Sequence, residues 1–169
     1  MPDPKSVFGI AKRSGEDLLR LSGINGSIVR LSNAYGPLCR PFYNSVISTF
    51  CELILSDKEI RVNGDGKQTR DFIFIEDVVS ALSGFIHHSA SGVEIYNLCA
   101  GELFSLNDII DDLKEISPRK IKVNHVNGSA PEGFLRGSNK KIKNYLNWSP
   151  VIPFKVGLEK TYRWFEAQP

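Results

Sequence analysis

The run Gly64-Asp-Gly-Lys-Gln-Thr-Arg70-Asp71 leads straight into Phe72-Ile-Phe-Ile75, so a glycine-flanked turn delivers one arginine to the mouth of an apolar stretch. A guanidinium is a planar fork that donates two parallel hydrogen bonds and keeps its charge, which suits it to a pair of phosphate oxygens. The plainer role for Arg70 is a surface ion pair with Asp71 or Glu76. Two cationic runs, Arg119-Lys120-Lys122 and Lys140-Lys141-Lys143, raise a nucleic-acid role. No aromatic residues interleave with them as stacking platforms, and with a net charge of +2 the acids nearly balance the bases. No nucleic-acid partner is expected.

The elements that must position Arg70 alternate. Apolar groups at helical spacing (Phe8, Ala11, Leu18, Leu19) predict a helix from about Ser6 to Leu21, stopped by Gly23. Ser27–Leu31 reads as a strand, Asn33–Pro37 as a loop punctuated by Gly-Pro, and Tyr43–Leu55 as a helix. Strand Glu59–Val62, the glycine turn and a buried strand Phe72–Ile75 follow. The next helix begins at Glu76 and Asp77, two acids suited to a helix N-terminus. Beyond strand Glu94–Leu98, Ser105 and Asp108 form a capping box with Phe104 placed to staple on Ile109, which predicts a helix to about Ile116. Strand Ile121–Val126, a short helix Asn139–Leu146 and an amphipathic helix Pro153–Ala167 complete the chain, with Trp148 and Trp164 as core residues. Strands alternating with helices predict an α/β fold with parallel pairing.

Composition adds bounds. A chain of 169 residues, 41% hydrophobic, can bury one ordinary core. Cys39, Cys51 and Cys99 are odd in number and lack metal-ligand spacing, so no metal site is expected and the thiols read as buried and reduced. That makes the cytoplasm the expected compartment. No stretch approaches the ~18 apolar residues of a membrane span, so no membrane partner is expected.

Several segments resemble the NAD-dependent epimerase/dehydratase family, the nucleotide-sugar branch of the extended short-chain dehydrogenases/reductases. Within Ile60 to Asp77, the stretch Gly64 to Asp77 matches the family's GDGxQxRDFxxVxD segment, with Ile75 at its valine. Pro4-Lys-Ser6-Val-Phe8-Gly-Ile-Ala-Lys12 is similar to P-x-S-x-Y-G-x-[SA]-K, with Phe8 where the family has tyrosine. In that pattern a lysine one helical turn on lowers the pKa of the phenol, which then takes a substrate proton while hydride leaves for the nicotinamide. Phe8 has no hydroxyl, so the resemblance leaves the general-base role vacant. Lys12 keeps the family's catalytic-lysine position and a cofactor-binding role, a hydrogen bond to the nicotinamide ribose. On local sequence alone, Phe8 is a core contact and Lys12 a solvated lysine.

Arg30-Leu-Ser-Asn33-Ala-Tyr-Gly-Pro37 resembles R-x-x-N-x-Y-G-P, which implies that Asn33 helps hold the sugar nucleotide. The local alternative is a loop asparagine bonded to its own backbone. Glu59–Val62 falls where the family packs the nucleotide base. Pro131-Glu-Gly133-Phe-Leu-Arg136 and Asn147-Trp-Ser-Pro150 are similar to the family's ending, which implies that Arg136 joins Arg70 on the diphosphate. The aspartate that usually follows that arginine is replaced by Asn139 or Lys140.

The resemblance covers only the second half of the family's architecture, since the GxxGxxG turn that cradles NAD or NADP has no counterpart here. The expected fold is therefore the carboxyl-terminal part of a Rossmann-type extended short-chain dehydrogenase/reductase. Residues 1–40 and 70–100 would complete the cofactor sheet, and 41–69 and 101–169 would bind the nucleotide-sugar. The strands at Ser27–Leu31 and Ile95–Leu98 would then pair with strands absent from this chain. The cofactor is not expected to bind this chain alone. A separate chain carrying the NAD-binding half, or a homodimer, is the expected partner, and a non-catalytic sugar-nucleotide-binding subunit is the alternative function.

Overall fold

The computed structural model describes residues 3–43, 45–88, 91–128 and 137–168. Among these, helix α1 (Val7–Leu21) leads into β1 (Gly26–Leu31) and β2 (Asn33–Tyr35). Helix α2 (Val46–Leu55), β3 (Ile60–Asn63), β4 (Thr69–Phe74) and α3 (Ile75–Ile86) follow. The order closes with β5 (Val93–Leu98), β6 (Leu103–Ser105), α4 (Leu106–Ile116), β7 (Val123–Val126), α5 (Lys140–Leu146) and α6 (Phe154–Glu166). No helix among the described residues is long and apolar enough to cross a membrane.

Pairing is mostly parallel. β1 lies on β5 with Ile28 opposite Ile95, β2 on β4 with Asn33 opposite Phe72, and β3 on β7 with Val62 opposite His125. β6 runs antiparallel to β4, Arg70 facing Phe104. β4 is the central strand, and its side chains alternate between two cores as period-two geometry requires. Phe72 and Phe74 join the larger core with Tyr35, Phe154 and residues of α2, α4 and α6. Ile73, between them, joins the smaller core with Val78, Tyr96, Leu98 and Ile142. A strand buried on both faces reads as a continuous apolar run, which is why Phe72-Ile-Phe was legible.

Several assignments differ from expectation. Asn33–Tyr35 is a strand and not a loop, because its backbone finds a parallel partner in Phe72–Phe74, a pairing that no local signal announces. Leu103–Ser105, unassigned from the sequence, is the strand β6. Among the described residues β1 and β5 form a two-stranded ladder, which leaves each a second edge for the further strands that the resemblance implies. Helix α2 starts at Val46, where the Ser45 hydroxyl accepts from the Ser48 amide, and Ile75 opens α3 instead of ending β4. The predicted capping box forms, with Asp108 accepting from the Ser105 amide at 2.8 Å, and Phe104 stacks on Phe154. Trp148 and Trp164 sit half-buried at the edges of the two cores.

Candidate functional site

Arg70 stands near the start of β4, beside the turn whose Gly64 and Gly66 both adopt positive φ, a conformation glycine takes without strain. At Gly66 any Cβ would collide with the Asn107 side chain, whose Nδ2 donates to the Asp65 carbonyl and ties the turn to α4. The Arg70 Nη1 donates to the Thr69 carbonyl at 2.7 Å. The carboxylates named as its simpler partners are committed elsewhere. Asp71, 1% exposed, accepts from the Ala100 and Gly101 amides at 2.9 and 2.8 Å, and Glu76 pairs with Lys160.

Asn33 does not bond its own backbone: its Nδ2 donates to the Asp71 carbonyl at 2.9 Å, bridging β2 to β4. Asp71 thus links Asn33 through its backbone and the end of β5 through its side chain. Asn139, buried before α5, donates to the Cys99 and Ala100 carbonyls and draws that segment to the same strand end. Arg136 lies outside the described residues.

A cleft of about 760 Å³ opens between these elements, and Phe8, Asn33, Ser45, Gln68, Arg70 and Leu106 are among its walls. The structure therefore brings Phe8, Asn33 and Arg70 together. Among the described residues lining the cleft, the only charged group is Arg70. Ser45 and Val46 present the N-terminus of α2 to it, and the helix dipole adds positive potential there. Phe8 is not a core contact: it is 73% exposed, and the exposed Lys12 ammonium sits 5.3 Å from its ring centre. A smaller cavity of about 380 Å³ between β4 and the start of α6 contains none of the predicted site residues.

Sequence reasoning did not single out Ser32 and Gln68. Both line the cleft, and the Ser32 Oγ and Gln68 Oε1 are buried without a hydrogen-bond partner, although the Gln68 amide nitrogen reaches the Asn63 carbonyl at 3.3 Å. Gln68 stands at the glutamine of the GDGxQxRDF pattern, which is the signal that could have found it. Burial raises the thiol pKa of Cys39, which also lines the cleft, so this cysteine is not an activated nucleophile. Cys51 and Cys99 are pushed up to about 12 and about 11 by the same cause. No group of three His, Cys, Asp or Glu among the described residues is placed to hold a metal.

A dinucleotide needs a strand that turns through glycines into a helix N-terminus, so that backbone amides reach the pyrophosphate. Among the described residues, the strands that run directly into helices do so at Phe74–Ile75 and Ser105–Leu106, with no glycine at either junction. These residues do not build that cradle.

A parallel α/β framework with an arginine-bearing cleft is the carboxyl-terminal part of a Rossmann-type fold of the extended short-chain dehydrogenase/reductase class. The chain belongs to the NAD dependent epimerase/dehydratase family, whose model matches residues 1–99. It is 32% identical to a UDP-glucuronate 4-epimerase of Thermodesulfobacterium geofontis, over 95% of this chain and 50% of that one. It is 30% identical to GDP-mannose 3,5-epimerase 1 of Oryza sativa, over 98% of this chain and 45% of that one. The structure of UDP-glucose 4-epimerase from Thermotoga maritima with UDP-glucose superposes with a TM-score of 0.90 at 28% identity, covering 98% of this chain and 55% of that one. UDP-glucuronic acid 4-epimerase from Bacillus cereus, in complex with UDP-glucuronic acid and NAD, gives 0.88 at 29% identity, covering 98% and 54%. The chain spans about half the length of the curated relatives it matches, and aligns with their carboxyl-terminal half.

Proposed function

We propose that the cleft binds a nucleotide-sugar, with Arg70 and Arg136 on the diphosphate and Asn33 beside the sugar. The observation that carries this reading is a cleft of ligand size whose one charge among the described lining residues is the Arg70 guanidinium. Residues 1–40 and 70–100 belong, on this reading, to the sheet that borders the cofactor, and residues 41–69 and 101–169 to the substrate side. Lys12 is the residue of this chain that reaches toward an NAD or NADP ribose. The dinucleotide's remaining contacts come from a cofactor half, whose site these residues do not form. A second polypeptide carrying that half, or a second copy of this chain, is the proposed partner, and three separate free cysteines support a cytoplasmic setting.

Phe8 supports the narrower form of the proposal. It stands where the family has its general base and carries no titratable proton, so the 169 residues act as a sugar-nucleotide-binding unit rather than a complete epimerase or dehydratase. Isothermal titration with UDP tests the cleft. Replacing Arg70 by alanine is expected to weaken binding by about 1.5–3 kcal/mol, the scale of a charge-assisted hydrogen bond. Equal UDP affinity for R70A and the unmodified chain would remove Arg70 from the site.

A further inference from the structure

Residues 64–67 turn the chain from β3 into β4 and so deliver the arginine of the cleft. β4 pairs with β6 through Thr69 opposite Ser105, Arg70 opposite Phe104 and Asp71 opposite Leu103, which leaves Arg70 one pair from the end of that ladder. Ladder ends open most readily, because their last bonds are supported from one side only. β7 reaches the turn at its first residue, where the Gly64 amide donates to the Val126 carbonyl at 3.0 Å and the His125 ring lies 3.1 Å from the Gly64 carbonyl oxygen. Beyond Gly64, among the described residues, the turn is tied to another element by Asn107.

Asn107 is the second residue of α4. An amide in the first turn of a helix has no intrahelical acceptor, and that of Asn107 donates to the Gly66 carbonyl at 3.2 Å. Its side-chain Nδ2 donates to the Asp65 carbonyl at 2.9 Å, so one residue grips two consecutive carbonyls of the turn. Gly66 is buried, and its missing Cβ is what leaves room for the Asn107 side chain. The grip has a firm base: the capping box of Ser105 and Asp108 fixes the start of α4, and Ile109 and Leu113 are fully buried. Leu106, next to Asn107, lines the cleft with Gln68 and Arg70. We infer that Asn107 is a positioning residue for the cleft: it holds residues 65–66 against α4, keeps the end of β4 closed and thereby fixes the Arg70 guanidinium on the cleft wall. The Asp65 carbonyl needs a donor, which an apolar side chain of the same shape does not supply. This inference rests on the nucleotide-sugar reading above and adds to it a residue outside the lining of the cleft.

NMR-detected titration of UDP tests it, against the unmodified chain, N107A, N107L, R70A and the two double variants with R70A. N107L keeps the branched, uncharged shape of asparagine without its donor. N107A and N107L are each expected to weaken UDP about five-fold, the scale of one hydrogen bond, at a temperature well below their melting points. In the R70A background the same substitutions should change UDP affinity by less than about two-fold, since an effect exerted through Arg70 disappears with Arg70. A lowered melting temperature with unaltered UDP affinity makes Asn107 merely structural and overturns the proposal. Equal weakening with and without Arg70 overturns it too, as does failure of both N107A and N107L to fold. If the unmodified chain does not bind UDP, or R70A binds it equally well, the cleft reading falls and the positioning role with it.

Discussion

Glu16 of α1 and Arg30 of β1 form a two-pronged ion pair, Nε to Oε1 at 2.7 Å and Nη2 to Oε2 at 2.6 Å. No residue of α1 is buried, so this fork is a principal tie between the helix that carries Phe8 and Lys12 and the strand that leads to Asn33. The hydrogen bond from Arg30 holds the Glu16 carboxyl below the usual glutamate range, against a smaller opposing effect of burial. A depressed native pKa means stability that is present above the unfolded value and lost as pH falls through the native one.

The melting temperature of E16Q is therefore expected to lie roughly 2–4 °C below that of the unmodified chain at pH 7, for a pair worth about 1 kcal/mol. The gap should close at acid pH, as the unmodified chain's Glu16 also becomes protonated. Thermal melts from pH 7 down to about pH 3, a range spanning the ordinary glutamate pKa, provide the check. A gap independent of pH would show that the charge of Glu16 is not what matters.

Asp71 is the buried crossing point between β2, β4 and the end of β5. Replacing it by alanine leaves the Ala100 and Gly101 amides without their acceptor and should cost roughly 2–4 kcal/mol in urea denaturation. Asp77, 2% exposed, plays the corresponding part for the carboxyl-terminal segment, accepting from the Val151 and Ile152 amides at 2.9 and 3.1 Å. D77A is expected to fall in the same range and to loosen α6 first, visible as faster amide exchange there.

Gly157 separates two opposed effects. Alanine is the better helix former by about 1 kcal/mol, so propensity alone predicts that G157A stabilises α6. Yet a Cβ at this position would collide with the Tyr35 hydroxyl and lie 2.8 Å from the Phe74 ring, both parts of the packed core. Tyr35 cannot yield freely, since its hydroxyl donates to the Phe154 carbonyl at 2.9 Å. Overpacking of this kind costs about 1–3 kcal/mol, and net destabilisation in urea is the expected outcome.

The purified 169-residue polypeptide is expected to show no NAD-dependent turnover of UDP-glucose or UDP-glucuronate. A positioned general base contributes on the order of a hundred- to ten-thousand-fold, and Phe8 supplies none. Mass-spectrometric detection of epimerised or dehydrated product at a rate proportional to protein, from preparations free of host enzyme, would contradict it.

The elements legible in the sequence were those with local causes. Ser105 and Asp108 cap α4 within one turn, and the helical spacing of Phe8, Leu18 and Leu19 marks α1. The buried run Phe72-Ile-Phe marks β4. Asn33–Tyr35 and Leu103–Ser105 were not legible, because each becomes a strand only through partners on β4. The candidate site divides in the same way. Arg70 announced itself through its glycine turn and Asn33 through the resemblance. Asp77 read as an acid suited to a helix dipole, whereas its carboxylate serves amides far along the chain. Ser32, at an unspecified position of its motif, entered the candidate site only when the cleft was seen in three dimensions, whereas Gln68 was already a motif position without an assigned role.

The strand pairing also has a temporal consequence. Ile60 waits for Val123, Gly26 for Val93 and Asn33 for Phe72; none of these ladders is a hairpin closed by a short turn. On a ribosome, β3 leaves the exit tunnel well before its neighbour has been synthesised, and β4 is complete before β6 exists. Such high contact order slows the search for the native topology and exposes half-paired ladders while it proceeds. The described walls of the cleft run from Phe8 to Leu106, so they can assemble once β4 has met β2 and β6, and nascent chains halted between β3 and β7 are the stage at which chaperones matter most.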